Sequence, residues 1–271
     1  MPPPTRRVSS LADFIRQVLS VRDQWEKKNS SDDRDADPLQ VWFRGQENAR
    51  WRLLPRLYRL KKFDENEIRS EFKLRAFQLM SESHIPKDDL EWYFLMQHYG
   101  APTRLIDWTD GALIALYFSV KAARPYKNAS VWMLDPVWLN EESLKKMDQN
   151  NYISGVLLPH WKESLRWLPE PFEESLTVTL PVAIDPPHVA RRVSVQRSRF
   201  TVHGTSKRGL DALVTNNPES RLVKFLISNK AAKEILEDLS TCGIVETSVF
   251  PDLEGLSREL QTKWTQIRKQ K

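Results

Sequence analysis

The stretch TRLIDWTDGALIALYFSV, residues 103–120, constrains the fold more than any other part of the chain. Its side-chain pattern repeats every two residues over 104–109, which is the period of a β-strand. From about 112 to 123 apolar residues lie on more than one face of a helix. The sequence therefore predicts a strand, a helix start at Asp110 and Gly111, and a helix that is buried on several sides.

The remaining helices and strands alternate irregularly along the chain. Helices are expected at about 10–27, 64–82, 87–99, 137–149, 230–243 and 253–269, and strands at 41–46, 129–136, 175–184, 221–228 and 244–251. Because crossovers and hairpins are mixed, we predict an α+β fold with a mixed central β-sheet and flanking helices. We divide the chain into an N-terminal helix with a polar loop, residues 1–39, and one larger domain, residues 40–271.

The composition excludes several kinds of site and partner. The single cysteine, Cys242, excludes an internal disulfide and a cysteine-based zinc site, and the five histidines are too far apart for HExxH spacing. We therefore expect no metal. The longest apolar run, within 112–120, is too short to span a bilayer, so we expect a cytoplasmic protein and no membrane partner. The net charge of +5 suits a polyanionic partner, although charges of both signs also fit an ordinary solvated surface.

The first candidate site is VWFRGQ, residues 41–46, where an apolar strand reaches Arg44 and Gly45. A guanidinium group can donate two parallel hydrogen bonds to a phosphate, and a glycine lets a ligand approach the backbone. The alternative is an arginine at a strand end that pairs with a carboxylate.

The second candidate site is the start of the apolar helix. A hydroxyl at Thr109 would lie beside unpaired backbone amides and the positive end of the helix dipole, and Asp107 would share its strand face. The alternative is that Thr109 or Asp110 only caps the helix and that Trp108 belongs to the core. His98 and Tyr99, in the preceding QHYG, have the same two interpretations, a ligand-binding one and a structural one.

The third candidate site lies in RVSVQRSRFTVHG, residues 192–204. The alternation of apolar residues changes phase between Val195 and Phe200, which predicts a bulge or turn. Gln196 and Arg199 fall at this break, where irregular backbone often directs functional side chains. An ordinary hairpin explains the pattern equally well.

Two stretches of the chain are distinctly basic. Residues 44–62 contain seven lysines and arginines and one acid, and residues 191–208 contain six and no acid. Trp51, Tyr58 and Phe200 lie among these cations, and the combination is typical of surfaces that bind nucleotides or single-stranded nucleic acid. A solvated basic face is the alternative.

Several of these motifs occur together in one known family. VWFRGQ, RLLPRL, QHYGAPTRLIDWTDGALIALYFSV, VQRSRFTVHG and IVETSVFPDLEGLSREL resemble the FRG domain, a bacterial family named after its Phe-Arg-Gly motif. The resemblance covers roughly 40–260, and we assign residues 40–271 to this domain.

A second resemblance, in layout, is to ADP-ribosyltransferases: an aromatic-Arg-Gly strand, a strand ending in a hydroxyl residue before a helix, and a later strand with Gln or Glu. It implies an enzyme that cleaves NAD and transfers ADP-ribose, with Arg44, Thr109 and Gln196 in the catalytic positions and Glu246 as the alternative acid. Asp107, Trp108 and Thr109 replace the usual Ser-Thr-Ser. The residues expected to bind NAD are Arg44, Gly45, Gln46, His98, Tyr99, Thr103, Asp107 and Trp108.

The same resemblance implies a biological role and partners. We expect a toxin or phage-defence effector that modifies RNA or DNA, with an antitoxin protein as a further partner. The alternative from a different class is a non-catalytic module that binds nucleic acid or nucleotides through the two basic stretches. Release of nicotinamide from NAD distinguishes these two functions.

Overall fold

The computed structural model describes residues 2–29, 39–81, 85–122, 127–144, 155–158, 180–185 and 198–269. The strands are β1 Thr5–Val8, β2 Trp42–Gln46, β3 Leu105–Thr109, β4 Ala129–Leu134, β5 Val182–Ile184, β6 Ser198–Val202 and β7 Leu222–Ile227. The helices are α1 Leu11–Asn29, α2 Glu65–Ala76, α3 Asp89–His98, α4 Ala112–Val120, α5 Pro136–Leu144, α6 Leu210–Leu213, α7 Asn229–Thr241, α8 Glu246–Val249 and α9 Leu253–Lys269. A 3-10 helix, Leu57–Arg59, precedes α2.

The seven strands form one sheet in the order β1-β7-β4-β2-β3-β6-β5. The pair β1–β7 is parallel, and the other neighbouring pairs are antiparallel. The predicted α+β fold with a mixed sheet and flanking helices is therefore confirmed.

The sheet has a helix-covered face whose core includes α1, α4 and α7. Leu116 of α4, Phe14 of α1 and Phe225 of β7 are fully buried there. On the other face a second cluster contains four tryptophans, Trp42, Trp108, Trp132 and Trp138. Helix α4 is therefore core, as its apolar faces predict.

Most predicted elements are found close to their expected positions. The predicted helix over 87–99 is α3, and Gly100 follows it with a φ of 75°, a left-handed conformation that glycine adopts at little cost. Helix α4 differs in its cap: Gly111 is the N-cap, and the Thr109 hydroxyl accepts a hydrogen bond from the Gly111 amide at 3.1 Å. Thr109 therefore supports the turn before α4 from two residues away.

The prediction of a strand over 244–251 is wrong, because Glu246–Val249 is the short helix α8. The backbone amide of Val245 donates to the Ser248 hydroxyl at 2.8 Å, which closes this turn locally. Val249 is buried against the helix-covered face of the sheet. A single helical turn with one buried side gives much the same apolar spacing as a short strand, so the pattern could not separate them.

The N-terminal residues contribute to the same sheet and core as the later ones. Strand β1, which the sequence did not predict, pairs in register with β7 from Thr5 opposite Lys224 to Val8 opposite Ile227. Helix α1 begins where predicted, and the Ser10 hydroxyl accepts from the Asp13 amide at 3.2 Å. The boundary placed near residue 39 stays a prediction.

None of the helices in the described parts of the chain is both long enough and apolar enough to cross a membrane. Helix α4 is highly apolar but spans only Ala112–Val120. Its side chains are used in the core of the sheet.

Candidate functional site at a gap between two strands

Strands β2 and β3 are joined by a single registered pair, Phe43 opposite Thr109. By contrast, β2 is paired with β4 over Trp42 to Gln46, and β3 is paired with β6 along its whole length. The two halves of the sheet therefore part just beyond Phe43. We call this position the strand gap.

Arg44 is the first residue of β2 beyond that pair. Its side chain is 23% exposed, and its Nη1 donates to the backbone carbonyl of Asp107 across the gap at 2.6 Å. The same nitrogen lies 3.5 Å from Oδ2 of the Asp107 carboxylate. One guanidinium nitrogen thus spans the gap, and since no described residue accepts from the other donors of Arg44, these can bind an anion.

Asp107 is held in turn by the helix that precedes its strand. Gln97, in α3, donates from Nε2 to Asp107 Oδ2 at 2.8 Å. The hydroxyl of Thr103 donates to Gln97 Oε1, and it accepts a hydrogen bond from the Leu105 amide at 3.1 Å. Residues from two separate motifs of the sequence therefore form one hydrogen-bonded group, Arg44, Gln97, Thr103 and Asp107, which we call the Asp107 cluster.

Further arginines surround Arg44. The pKa of Arg59 is lowered by burial and then by the positive charges of Arg44 and Arg56. Arg59 donates to the Leu54 carbonyl at 3.0 and 2.8 Å, and Arg56 donates to the Gly100 carbonyl at 2.6 Å. Backbone carbonyls thus hold guanidinium groups whose charges repel one another, and a bound anion would relieve this repulsion.

A buried polar network lies within reach of the charge of Arg44. Arg104 forms a bidentate pair with Glu65, which also accepts from the Tyr93 hydroxyl at 3.0 Å. His203 is fully buried, and among the described residues neither of its ring nitrogens has a hydrogen-bond partner. Burial, with the positive charges of Arg104 and Arg44, lowers the pKa of His203 to about 3, so its imidazole is neutral at pH 7.

Gly45 is required by the packing of the protein, whereas the sequence predicted that it lets a ligand approach the backbone. A Cβ atom at this position would lie 2.0 Å from the Ala115 carbonyl oxygen and 2.8 Å from the Ser119 amide. The backbone of α4, rather than a ligand, makes the close approach on this side. Because side chains alternate along a strand, Arg44 points to the opposite face of the sheet.

The other predicted NAD-binding residues lie in different surroundings. Gln46 is buried, with its amide oxygen accepting from the Trp132 indole at 2.9 Å. Trp108 is also buried and donates to the Thr201 hydroxyl at 3.0 Å. Tyr99 is 72% exposed and makes an edge contact with His98. Whether any of them binds NAD stays a prediction.

Glu246, the alternative catalytic acid, belongs to a cluster between α4 and α9. It accepts from the Tyr117 hydroxyl and from Arg258 Nε, both at 2.5 Å, and Lys121 lies 3.9 Å away. Burial acts to raise the pKa of Glu246, but these hydrogen bonds and charges outweigh it and hold the pKa below its usual value. We call Tyr117, Lys121, Glu246 and Arg258 the Glu246 cluster.

The third predicted site is described in part. Gln196 and Arg197 lie outside the described residues. Arg199 pairs with Asp110 at 3.3 Å and with Asp185 at 3.2 Å, so its charge is balanced by two carboxylates. This pairing makes Arg199 a weaker candidate for a phosphate contact than the arginines around the strand gap.

Sequence reasoning missed three residues that the structure draws attention to. Gln97 stands in the QHYG motif, but nothing in a helical pattern shows which polar residue will face a neighbouring strand. Arg59 lies in the basic stretch without distinction from its neighbours. His203 lies in a strand-like run, and its lack of hydrogen-bond partners follows only from the packed structure.

Comparison with known proteins supports part of the sequence interpretation. Residues 39–128 match the family model of the FRG domain, which is the family that the sequence motifs resemble. This range contains every member of the Asp107 cluster and the three arginines near the strand gap, Arg44, Arg56 and Arg59. No curated protein and no solved structure gives a significant match. The resemblance predicted for residues beyond 128 stays a prediction.

Proposed function

We propose that this protein is an ADP-ribosyltransferase-like enzyme that binds NAD at the strand gap and cleaves its nicotinamide–ribose bond. The position of Arg44 is the single observation that carries the proposal. It lies at the point where β2 leaves β3, and one nitrogen of its guanidinium is fixed by the Asp107 carbonyl at 2.6 Å. A fixed guanidinium with spare donors suits the diphosphate of a dinucleotide.

The charges around Arg44 support an anionic ligand. Arg56 and Arg59 lower the affinity of this region for further positive charge, and in the described part of the chain the nearest acid to Arg44 is the half-exposed Asp107. A dinucleotide diphosphate would neutralise part of this excess. Thr109, at the joined end of the gap, is the hydroxyl residue for the nicotinamide side, as the resemblance implies.

The reaction needs little covalent help from the protein. When the C1′–N bond breaks, the electron pair leaves with the nicotinamide nitrogen, and positive charge develops on the ribose. An acceptor oxygen or nitrogen then forms the new bond to C1′ and loses its proton. Groups fixed in advance around the ribose therefore contribute most to the rate.

The first experiment is incubation of the purified protein with NAD and measurement of free nicotinamide. We expect release by the wild-type protein and loss of release in Arg44→Lys, because an ammonium group cannot reproduce the fork of donors. Arg75→Lys is a matched control, since Arg75 is exposed on α2 and pairs with Glu71. Wild-type protein that releases no nicotinamide would refute the enzymatic proposal.

The second candidate function is a non-catalytic module that binds nucleic acid or nucleotides. The segment over 50–62 favours it, because Arg50, Arg52 and Lys61 are exposed in this segment together with Trp51, which is 46% exposed. A basic surface with an exposed ring can bind a single strand through its phosphates and stack on its bases. The same surface would also hold the nucleic-acid acceptor of an ADP-ribosyltransferase.

A binding titration separates the two candidates. We expect affinity for single-stranded RNA or DNA to fall steeply with salt, and the slope to flatten in Arg52→Gln, because fewer counterions are released. Binding together with nicotinamide release supports a nucleic-acid acceptor, whereas binding without release supports the non-catalytic module. In the first case a toxin or phage-defence role, restrained by an antitoxin, would appear as growth arrest on expression that Arg44→Lys relieves.

A further inference from the structure

We propose that Asp107 supplies the catalytic carboxylate of this site and that Gln97 is the residue that positions it. This inference rests on the proposed NAD cleavage at the strand gap. It differs from the layout implied by the resemblance, which places the ribose ligand at Gln196 or Glu246.

Asp107 is the one exposed residue in an otherwise buried strand. The residues on either side of it in β3 are buried, from Leu105 to Thr109. Its side chain is 53% exposed, although β3 lies inside the sheet between β2 and β6. Exposure at this point is a consequence of the strand gap, which leaves the carboxylate accessible to a ligand.

The two oxygens of this carboxylate are used unequally. Oδ2 accepts from Gln97 at 2.8 Å and lies 3.5 Å from Arg44. In the described part of the chain Oδ1 makes no hydrogen bond. The carboxylate is therefore oriented by one oxygen and can accept a ribose hydroxyl with the other.

Gln97 is anchored in a way that fixes which end of its amide faces Asp107. The Thr103 hydroxyl accepts from the Leu105 amide at 3.1 Å, so its own proton is directed to Gln97 Oε1. The amide NH₂ must then point to Asp107. Thr103 is fully buried, so the orientation of Asp107 is transmitted from the core of the protein.

The chemistry fits an oriented carboxylate beside an arginine. Positive charge develops on the ribose as the C1′–N bond breaks, and a carboxylate already in place stabilises this charge without reorganising at the moment of reaction. Arg44 binds the diphosphate nearby. Glu246 is less suited, because Tyr117, Arg258 and Lys121 already occupy its carboxylate.

Steady-state nicotinamide release tests the role of Asp107. For Asp107→Asn we expect kcat to fall by about 100-fold, the loss typical of one removed electrostatic group, with KM changed by less than about threefold. Asparagine can still accept from Gln97, so the melting temperature should stay close to that of the wild type. Glu219→Gln, an exposed carboxylate-to-amide change far along the chain, is the matched control.

A double-mutant cycle tests the role of Gln97. Gln97→Leu should lower kcat by about 10-fold, because Asp107 loses its orienting donor. The double variant with Asp107→Asn should be no slower than Asp107→Asn alone, since positioning has no effect once the carboxylate is gone. Additive losses would mean that Gln97 acts independently of Asp107 and would overturn this part of the proposal.

The outcomes also separate this inference from the proposed function. Active wild-type protein with an unimpaired Asp107→Asn variant overturns the role of Asp107 and leaves the NAD-cleaving function standing. A rise in KM with unchanged kcat would make Asp107 a binding residue and would also overturn its catalytic role. Wild-type protein that releases no nicotinamide overturns both proposals.

Discussion

The Asp107 cluster and the Glu246 cluster are both built from one carboxylate and its donors, but they use their groups differently. The carboxylate of Glu246 is 13% exposed and contacts donors on both oxygens. The carboxylate of Asp107 is 53% exposed and is oriented through Oδ2. A satisfied, buried carboxylate ties helices together, whereas an oriented and accessible one is available for binding and catalysis.

The largest effect should come from the packing that supports the strand gap. Gly45→Ala would place a Cβ atom 2.0 Å from the Ala115 carbonyl oxygen, which is backbone and cannot rotate away. Strand β2 or helix α4 must then shift, and we expect a loss of roughly 4 kcal/mol or more in unfolding free energy, or failure to fold. Chemical denaturation measures it. Near-wild-type stability would mean that α4 does not pack on β2 as described.

The second effect is on function. Arg44→Lys should lower nicotinamide release by about 100-fold, corresponding to about 2.7 kcal/mol in transition-state stabilisation, because the bidentate donor is lost. Its melting temperature should change little, since Arg44 is partly exposed and a lysine ammonium group can still donate to the Asp107 carbonyl. A large loss of stability with unchanged activity would make Arg44 a structural residue and remove the contrast between the two clusters.

The third effect concerns the Glu246 cluster. Glu246→Gln keeps the size of the side chain but removes the charge that pairs with Arg258 and Lys121, and we expect a cost of about 2 kcal/mol in unfolding free energy. Because the pKa of Glu246 is lowered in the folded state, this stabilisation should fade as the pH falls through that pKa. Denaturation of both proteins at neutral and acidic pH checks this. A cost that stays constant on acidification would contradict the charge-based explanation.

The sequence correctly predicted those helices and strands that are marked by a local apolar periodicity. The strand over 104–109 and the helix that follows were predictable because strand and helix periods differ and because α4 is apolar on several faces. Arg44 and Asp107 were also predicted as site residues. Arg44 was selected because a glycine follows it, and Asp107 because it is an acid just before a helix start. Their contact joins residues 63 positions apart, and only the register of β2 and β3 decides it.

Other features depend on packing that no local pattern shows. Gly45 indicated a close approach, but the sequence could not show that α4 rather than a ligand makes it. The turn at Glu246 has the spacing of a short strand, but it is a helix with Val249 buried against the core. Gln97 is one of many polar residues on a helix until α3 is placed beside β3.

The smallest effect at neutral pH should come from His203, which neither cluster includes. His203→Leu removes a buried imidazole whose nitrogens have no hydrogen-bond partner in the described parts of the chain, so we expect equal stability or a gain of about 1 kcal/mol at pH 7. The pKa of His203 is about 3 in the folded protein, whereas in the unfolded chain it returns to the ordinary histidine value of 6.5. The unfolded state therefore binds more protons between these two pH values. As the pH is lowered through this range, the unfolding free energy of the wild type should decrease by roughly 1.4 kcal/mol per pH unit. The variant lacks this contribution, so its advantage in unfolding free energy over the wild type should widen from pH 7 to pH 5.5 in paired denaturation curves.

A variant that is less stable at both pH values would show that the imidazole has a partner in solution, such as an ordered water beside Arg44. The polar site would then extend from the strand gap to His203.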